Sequence, residues 1–162
     1  MASGKSVVGE LLAQSLNYRF VDTDQWIEAR SCKTIPQIFS EEGEASFRAK
    51  EKECLEFLMD QEYLVIASGG GTPCFHQAME LMSELGETVY LKANIQTLSD
   101  RLWDEKSDRP KLNSCQSREK LMDFISEHLS QREMVYEQCK HIVSVDDQSI
   151  EQIAKKIKSL LI

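Results

Sequence analysis

The stretch Met1-Ala2-Ser3-Gly4-Lys5-Ser6 opens the chain, and apolar residues at helical spacing follow it directly. Gly-Lys-Ser before a helix is the second half of the P-loop pattern G-x-x-x-x-G-K-[ST], in which backbone N–H groups and a helix N-terminus surround phosphate oxygens. The first glycine of that pattern would precede Met1. Because the tripeptide is common, a plain helix N-terminus with a surface lysine explains it equally well. The rest of the chain has to decide between these two interpretations.

Size and composition indicate one globular domain that covers residues 1–162. A chain of 162 residues with 41% hydrophobic and 28% charged residues can bury a core without disulfides or a metal. The net charge of −8 disfavours nucleic acid or an anionic membrane as the main partner. An anionic nucleotide could still bind through a local basic cluster.

Cysteine usage indicates a reducing compartment. The five cysteines are spread along the chain without a C-x-x-C pair, which is typical of free thiols rather than of a disulfide frame or a zinc site. The sequence shows neither a signal peptide nor a long apolar run. We therefore expect a cytoplasmic protein, and we expect it to be a monomer.

Strand-like and helix-like segments alternate along the chain. Alternation of this kind predicts βαβ units and a parallel sheet within a three-layer α/β fold. The run 63–67 is continuously apolar, as expected for a strand buried on both faces. The charged, aperiodic stretch 103–117 is predicted to be a mobile lid. The predicted strands are 18–21, 63–67, 88–91 and 141–145, and the predicted helices are 5–16, 25–30, 35–42, 44–59, 77–85, 95–102, 118–136 and a C-terminal helix that begins near Ile150.

Chemically distinctive residues follow two of the predicted strands. Asp22 and Asp24 end the first strand, and three glycines (69–71) follow Ala67. Ligands of open parallel sheets bind beyond the carboxyl ends of the strands, so we expect these groups to meet the P-loop at one edge. A helix cap would also explain an aspartate at this position.

Beside a P-loop, the two aspartates suit different tasks. One can hold Mg²⁺ through water, while the other accepts a hydrogen bond from an attacking hydroxyl. One glycine would suffice for a turn, so three suggest a backbone that approaches a ligand closely. For Arg48 and Glu51, spaced i,i+3 on a predicted helix, an ordinary surface ion pair is the simplest interpretation.

Taken in order, these pieces resemble the shikimate kinases, small P-loop kinases of aromatic amino acid biosynthesis. The resemblance covers essentially the whole chain, and the aspartate pair, F-R and triple glycine together are specific to this family among P-loop kinases. The matching segments are G-K-S (4–6), F-V-D-T-D (20–24), G-E-A-S-F-R (43–48), A-S-G-G-G-T-P (67–73), D-R-P-K-L (108–112), R-E-M-V-Y (132–136) and D-D-Q-S (146–149).

The resemblance implies a P-loop kinase fold and transfer of the γ-phosphoryl group of ATP, with Mg²⁺, to the 3-hydroxyl of shikimate. It implies that Lys5 contacts the β- and γ-phosphates, that Ser6 ligates Mg²⁺ and that Asp22 supports the ion through water. Arg109 would swing from the lid onto the phosphates. Further nucleotide contacts are implied for Ala2, Ser3, Gly4, Val7, Arg101 and Gln148.

On the substrate side, the resemblance implies that Asp24 binds the shikimate hydroxyls and orients or deprotonates the nucleophile. Arg48 and Arg132 would clamp the substrate carboxylate, a planar anion that suits a guanidinium fork better than an ammonium group. The backbone contacts to the substrate are expected from Gly69, Gly70 and Gly71, with Gly70 first among them.

In this fold a central strand precedes the P-loop, and that strand is missing from the sequence. Losing about four buried apolar side chains at ~1.5–3 kcal/mol each would remove roughly 6–12 kcal/mol. Whole domains are typically stable by only ~5–15 kcal/mol. We therefore expect the coding sequence to begin upstream of Met1, with an apolar strand and the first P-loop glycine.

Two other functions fit some of these residues. A gluconate-kinase-like enzyme would share the P-loop and the lid, but it would not need the F-R, triple-glycine and R-x-x-x-Y segments together. A catalytically impaired remnant would bind shikimate through intact substrate residues without turning it over, because its nucleotide side is damaged.

Overall fold

The structure, a computed structural model, describes residues 2–104 and 117–161, and it shows the predicted alternation of strands and helices. A short 3₁₀ helix covers Thr72–Cys74. The strands are β1 (Arg19–Asp22), β2 (Leu64–Ala67), β3 (Val89–Lys92) and β4 (His141–Ser144). The helices are α1 (Lys5–Leu16), α2 (Thr23–Ser31), α3 (Ile35–Glu41), α4 (Gly43–Met59), α5 (Ala78–Leu85), α6 (Ile95–Asp104), α7 (Arg118–Ser130), α8 (Glu133–Tyr136) and α9 (Ile150–Leu161).

The described strands form parallel pairs, which confirms the predicted α/β class with parallel pairing. β1 pairs with β2, and β3 pairs with β4. Within residues 2–104 and 117–161 the two pairs are separate two-stranded sheets. The registers run from Arg19↔Leu64 to Asp22↔Ala67 in the first pair and from Val89↔His141 to Lys92↔Ser144 in the second.

β2 is less buried than its apolar sequence predicts. The side chain of Ile66 is 40% exposed, so the prediction of a strand buried on both faces was wrong at this position. In the described part of the chain, β2 forms a ladder with β1 alone. Side chains of a sheet are covered partly by neighbours on the flanking strands, and a single neighbour leaves Ile66 partly open.

Two apolar cores hold the helices against the strands. Residues of α1, α6, α7 and α9 pack with β3 and β4 in the first core, where Leu102, Leu121 and Val143 are fully buried. Residues of α2, α3 and α4 form the second core around Ile27 and Ile38, next to β1 and β2. None of the described helices combines the length and apolar character that crossing a membrane requires.

The predicted helix 118–136 is divided into α7 and α8, which corrects that prediction. Ser130 Oγ donates to the carbonyl of Glu127 at 2.8 Å, and a serine hydroxyl that bonds the backbone competes with the helical ladder. Arg132 then has a φ of −121°, outside the helical range. The break places Arg132 at the N-cap of a short helix instead of inside a long one.

The ends of the predicted lid belong to helices. α6 extends to Asp104, so Trp103 is helical. At the other end, the Ser117 side chain caps α7 by accepting a hydrogen bond from the backbone N–H of Lys120. The lid interior and Arg109 fall on 105–116, outside the described residues, and the lid stays a prediction.

Candidate active site

The start of α1 and the end of β1 meet at the first half of the site. Ser6 Oγ donates to Asp22 Oδ2 at 2.6 Å, and Lys5 Nζ lies 4.0 Å from the same oxygen. Asp22 is 7% exposed. Gly4, just before the helix, has a φ of +88°, in the left-handed region that glycine occupies without steric cost. The structure therefore brings Ser6, Asp22 and Lys5 together, and their roles in phosphate and metal binding stay predictions.

The oxygens of Ser6 and Asp22 suit a hard divalent cation. Mg²⁺ is usually bound by one or two carboxylates, with water and substrate phosphates completing its shell. The hydroxyl and carboxylate oxygens lie 2.6 Å apart, at the N-terminus of α1, where unpaired N–H groups favour anions. Among the described residues, no group of three or more His, Cys, Asp and Glu side chains could hold a metal ion. An ion at Ser6 and Asp22 would therefore depend on water and phosphate for its remaining ligands.

Asp22 also fixes the start of α2 and, through it, Asp24. Asp22 Oδ1 accepts a hydrogen bond from the backbone N–H of Asp24 at 3.0 Å. Burial raises the pKa of the Asp24 carboxyl above its ordinary value, the positive charge of Lys5 opposes the rise, and the negative charges of Asp22 and Glu51 add to it. Asp24 therefore holds a proton more readily than an exposed aspartate, which is a property required of a general base.

The loop after β2 is packed against the end of β1. Thr23 Oγ1 accepts a hydrogen bond from the Gly69 N–H at 3.0 Å, and Thr23 is fully buried. A Cβ at Gly69 would lie 2.9 Å from each of three side-chain oxygens, those of Asp24, Glu51 and Thr72. The sequence predicts that the backbone of the triple glycine approaches a ligand closely. At Gly69, the close neighbours in the structure are the protein's own polar side chains.

Arg48 lies against the same loop. Its Nη1 donates to Glu51 at 2.6 Å and its Nη2 to Glu44 at 2.7 Å. The guanidinium carbon lies 4.1 Å from the ring centroid of Phe75, a cation–π contact. A Cβ at Gly71 would lie 2.5 Å from Nη1. Because Arg48 is 8% exposed, packing and paired charges set the direction of its side chain.

The Arg48–Glu51 pair is buried, so the interpretation as a surface ion pair was wrong. Glu51 is 3% exposed, and its second oxygen accepts a hydrogen bond from Thr72 Oγ1 at 2.5 Å. A buried carboxylate is costly unless it is paired and hydrogen-bonded, and both conditions are met here. The sequence does carry a signal for this role, because Glu51 falls on the apolar side of α4 with Phe47 and Cys54.

Arg132 approaches the loop from the break between α7 and α8. Burial raises the pKa of the Cys74 thiol, and the positive charges of Arg132 and Arg48 oppose that rise. Cys74 ends the 3₁₀ helix that directly follows the glycines. The charges of both predicted carboxylate-binding arginines therefore act on Cys74, just beyond the glycines.

Two predicted nucleotide contacts have protein partners in the structure. Arg101 Nη1 donates to the carbonyl of Ala2 at 3.2 Å, which places this guanidinium on the backbone of the P-loop. Gln148 Nε2 donates to the carbonyl of Ser144, at the end of β4. Val7, on α1, is 52% exposed. The roles of these residues in nucleotide binding stay predictions.

The chain is similar to known proteins over nearly its whole length. A family model described as shikimate kinase matches residues 1–161. A shikimate kinase of Azobacteroides pseudotrichonymphae is 40% identical over 158 residues, covering 97% of this chain and 92% of that protein. The crystal structure of shikimate kinase from Bacteroides thetaiotaomicron has a TM-score of 0.92 at 38% identity, covering 99% of this chain and 93% of that chain. Shikimate kinase from Acinetobacter baumannii in complex with shikimate has a TM-score of 0.87 at 32% identity, covering 99% and 87%.

Asp24→Asn is expected to raise the free energy of unfolding at neutral pH, with a gain that shrinks as the pH falls. Folding raises the pKa of Asp24, so the ionised carboxylate costs stability above that folded pKa. Below the ordinary carboxyl pKa the group is protonated in both states and the cost disappears. Asparagine cannot ionise. Urea denaturation of both proteins from neutral to acidic pH measures the difference. A loss of stability in Asp24→Asn at neutral pH that disappears toward acid would mean that folding lowers this pKa.

Proposed function

The chain belongs to the shikimate kinase family and is an ATP-dependent phosphotransferase, and we propose that it transfers the γ-phosphoryl group of ATP to the 3-hydroxyl of shikimate at the site described above. One observation carries this proposal: Asp24 and the buried Arg48–Glu51 pair converge on a single glycine loop. Beside the loop, Arg48 would bind a substrate carboxylate and Asp24 would bind a substrate hydroxyl. The shikimate complex of the Acinetobacter baumannii relative supports a substrate of this kind.

Arg48 and Arg132 would hold the substrate carboxylate. The Nε and Nη2 atoms of Arg48 contact Glu44, whose side chain is 58% exposed, whereas the side chain of Glu51 is 4% exposed. A bound carboxylate would therefore replace Glu44, while Glu51 keeps its hold on Nη1. Guanidinium groups bind carboxylates through two parallel hydrogen bonds, which fixes the orientation of the substrate ring.

Asp24 would orient the attacking hydroxyl and accept its proton as the bond to phosphorus forms. Its raised pKa brings the carboxyl nearer to the operating pH, where a general base is most effective. Phosphoryl transfer depends mainly on positioning and on neutralising charge. The hydrogen bonds that hold Asp22 to Ser6 and to the Asp24 backbone would therefore set the distance between acceptor and donor.

Lys5, Ser6 and Asp22 would form the nucleotide side. The Lys5 side chain is 36% exposed, at the helix N-terminus where phosphate oxygens bind. Ser6 and Asp22 would hold Mg²⁺, which supplies charge neutralisation at the phosphates when it is bound. Arg109, in the predicted lid, remains the proposed additional cation.

We also propose a cytoplasmic location, supported by the state of the cysteines. Cys32, Cys54, Cys74 and Cys139 are free thiols. Free thiols are usual in reducing compartments. The expectation of a single-chain, single-domain protein stays a prediction from the sequence.

An ADP-release assay with shikimate, gluconate and a nucleoside monophosphate as acceptors tests the proposed activity. We expect ADP release that depends on shikimate. Release with gluconate instead would support the gluconate-kinase alternative. Calorimetric binding of shikimate without binding of ATP would support the impaired remnant.

Arg48→Ala and Arg132→Ala are each expected to raise the shikimate KM by about 10- to 100-fold, because hydrogen bonds to charged groups contribute ~1.5–3 kcal/mol. The ATP KM should stay nearly unchanged, whereas Lys5→Ala should lower kcat sharply. Arg30→Ala is the matched control, since Arg30 pairs with Glu53 on the surface with a side chain that is 60% exposed. If the arginine variants changed both KM values equally, neither residue would belong to the substrate site.

A further inference from the structure

The hydroxyl of Tyr136 connects α8 to the glycine loop. Tyr136 Oη donates a hydrogen bond to the carbonyl oxygen of Gly70. The carbonyls of the two neighbouring glycines accept instead from nearby backbone groups, Gly69 from the Thr72 N–H at 3.1 Å and Gly71 from the Cys74 N–H at 2.9 Å. The middle peptide of the loop is therefore held by a side chain from an element 66 residues away in the sequence.

The same hydroxyl lies beside Arg132. Burial raises the pKa of the Tyr136 phenol, and the positive charge of Arg132 opposes that rise. The two residues are one helical turn apart, and the Tyr136 N–H donates to the Arg132 carbonyl at 3.0 Å. The ring of Tyr136 packs on Tyr90 of β3, with centroids 5.1 Å apart. The phenol is thus fixed by its ring, donates to the Gly70 carbonyl and feels the charge of Arg132.

We propose that Tyr136 is a positioning residue for the acceptor substrate and that it acts through Gly70 and Arg132. This inference rests on the proposed function, because it gives Tyr136 a task in the binding of shikimate. Tyr136 itself orients the groups that touch the substrate.

Peptide geometry explains how one hydroxyl can have this effect. The peptide group between Gly70 and Gly71 is planar, so holding the Gly70 carbonyl also fixes the direction of the Gly71 N–H. Glycine has access to more backbone conformations than any other residue. Without the phenol, this peptide can rotate, and the backbone offered to the substrate is no longer fixed. The Arg132 side chain loses a neighbour at the same time.

Tyr136→Phe tests the inference, because it keeps the ring on Tyr90 and removes the hydroxyl alone. We expect the shikimate KM to rise about 3- to 10-fold, the range that corresponds to the loss of one hydrogen bond. The ATP KM and the thermal midpoint should stay near their wild-type values. The backbone ¹⁵N resonance of Gly71 should also shift, since this nitrogen shares its peptide group with the Gly70 carbonyl.

Tyr90→Phe is the matched control. It removes the phenol hydroxyl of the stacked partner and leaves the contact between Tyr136 and Gly70 in place. We expect wild-type values of both KM constants for this variant. If both tyrosine variants raised the shikimate KM equally, the effect would not be specific to the contact between Tyr136 and Gly70, and the inference would be overturned.

The proposed function and this inference fail in different ways. A wild-type protein that does not phosphorylate shikimate would overturn the proposed function and, with it, the role of Tyr136. A wild-type protein that does so, with an unchanged shikimate KM in Tyr136→Phe and a raised one in Arg132→Ala, would overturn the inference alone.

Discussion

A buried carboxylate that must be paired holds together the proposed substrate side of the site. Glu51 is 3% exposed, and its oxygens bind Arg48 and Thr72. Leaving such a charge unpaired would cost ~3–5 kcal/mol, so folding fixes the arginine and the start of the 3₁₀ helix together. The glycines follow from this pairing, because the paired side chains leave no room for a Cβ at Gly69 or Gly71. The shape of the glycine loop is therefore a consequence of the interactions packed against it.

Asp22 connects this half to the phosphate side. One of its oxygens accepts from Ser6 at the start of α1, and the other accepts from the backbone of Asp24 at the start of α2. Two helix N-termini are thereby held by one buried side chain. Phosphoryl transfer requires donor and acceptor to be aligned, and a single shared carboxylate links the two helix starts that would bind them. Thr23, between the two aspartates, adds the contact to Gly69.

The order of strands and helices follows from local periodicity, and the sequence therefore predicts most of it correctly. The break between α7 and α8, where Arg132 has a φ of −121°, was not predicted because the helical pattern of the sequence continues across it. The burial of the Arg48–Glu51 pair was not predicted, because the i,i+3 spacing is the same for surface and buried ion pairs. Thr72 and Tyr136 belong to the matching segments, but their contacts could not be predicted because the partners of their hydroxyls lie 21 and 66 residues away. Motif residues could be found from spacing, whereas the residues that hold them in place became visible only in three dimensions.

Calorimetric titration of shikimate into the nucleotide-free protein tests the central role of Glu51 most directly, with wild type compared to Glu51→Gln. Glutamine keeps the shape of the side chain and removes its charge. The expected result is binding at least about tenfold weaker in the variant, because a hydrogen bond to a charged group that orients Arg48 is worth ~1.5–3 kcal/mol. Equal or tighter binding by a variant with a wild-type circular dichroism spectrum would contradict the account.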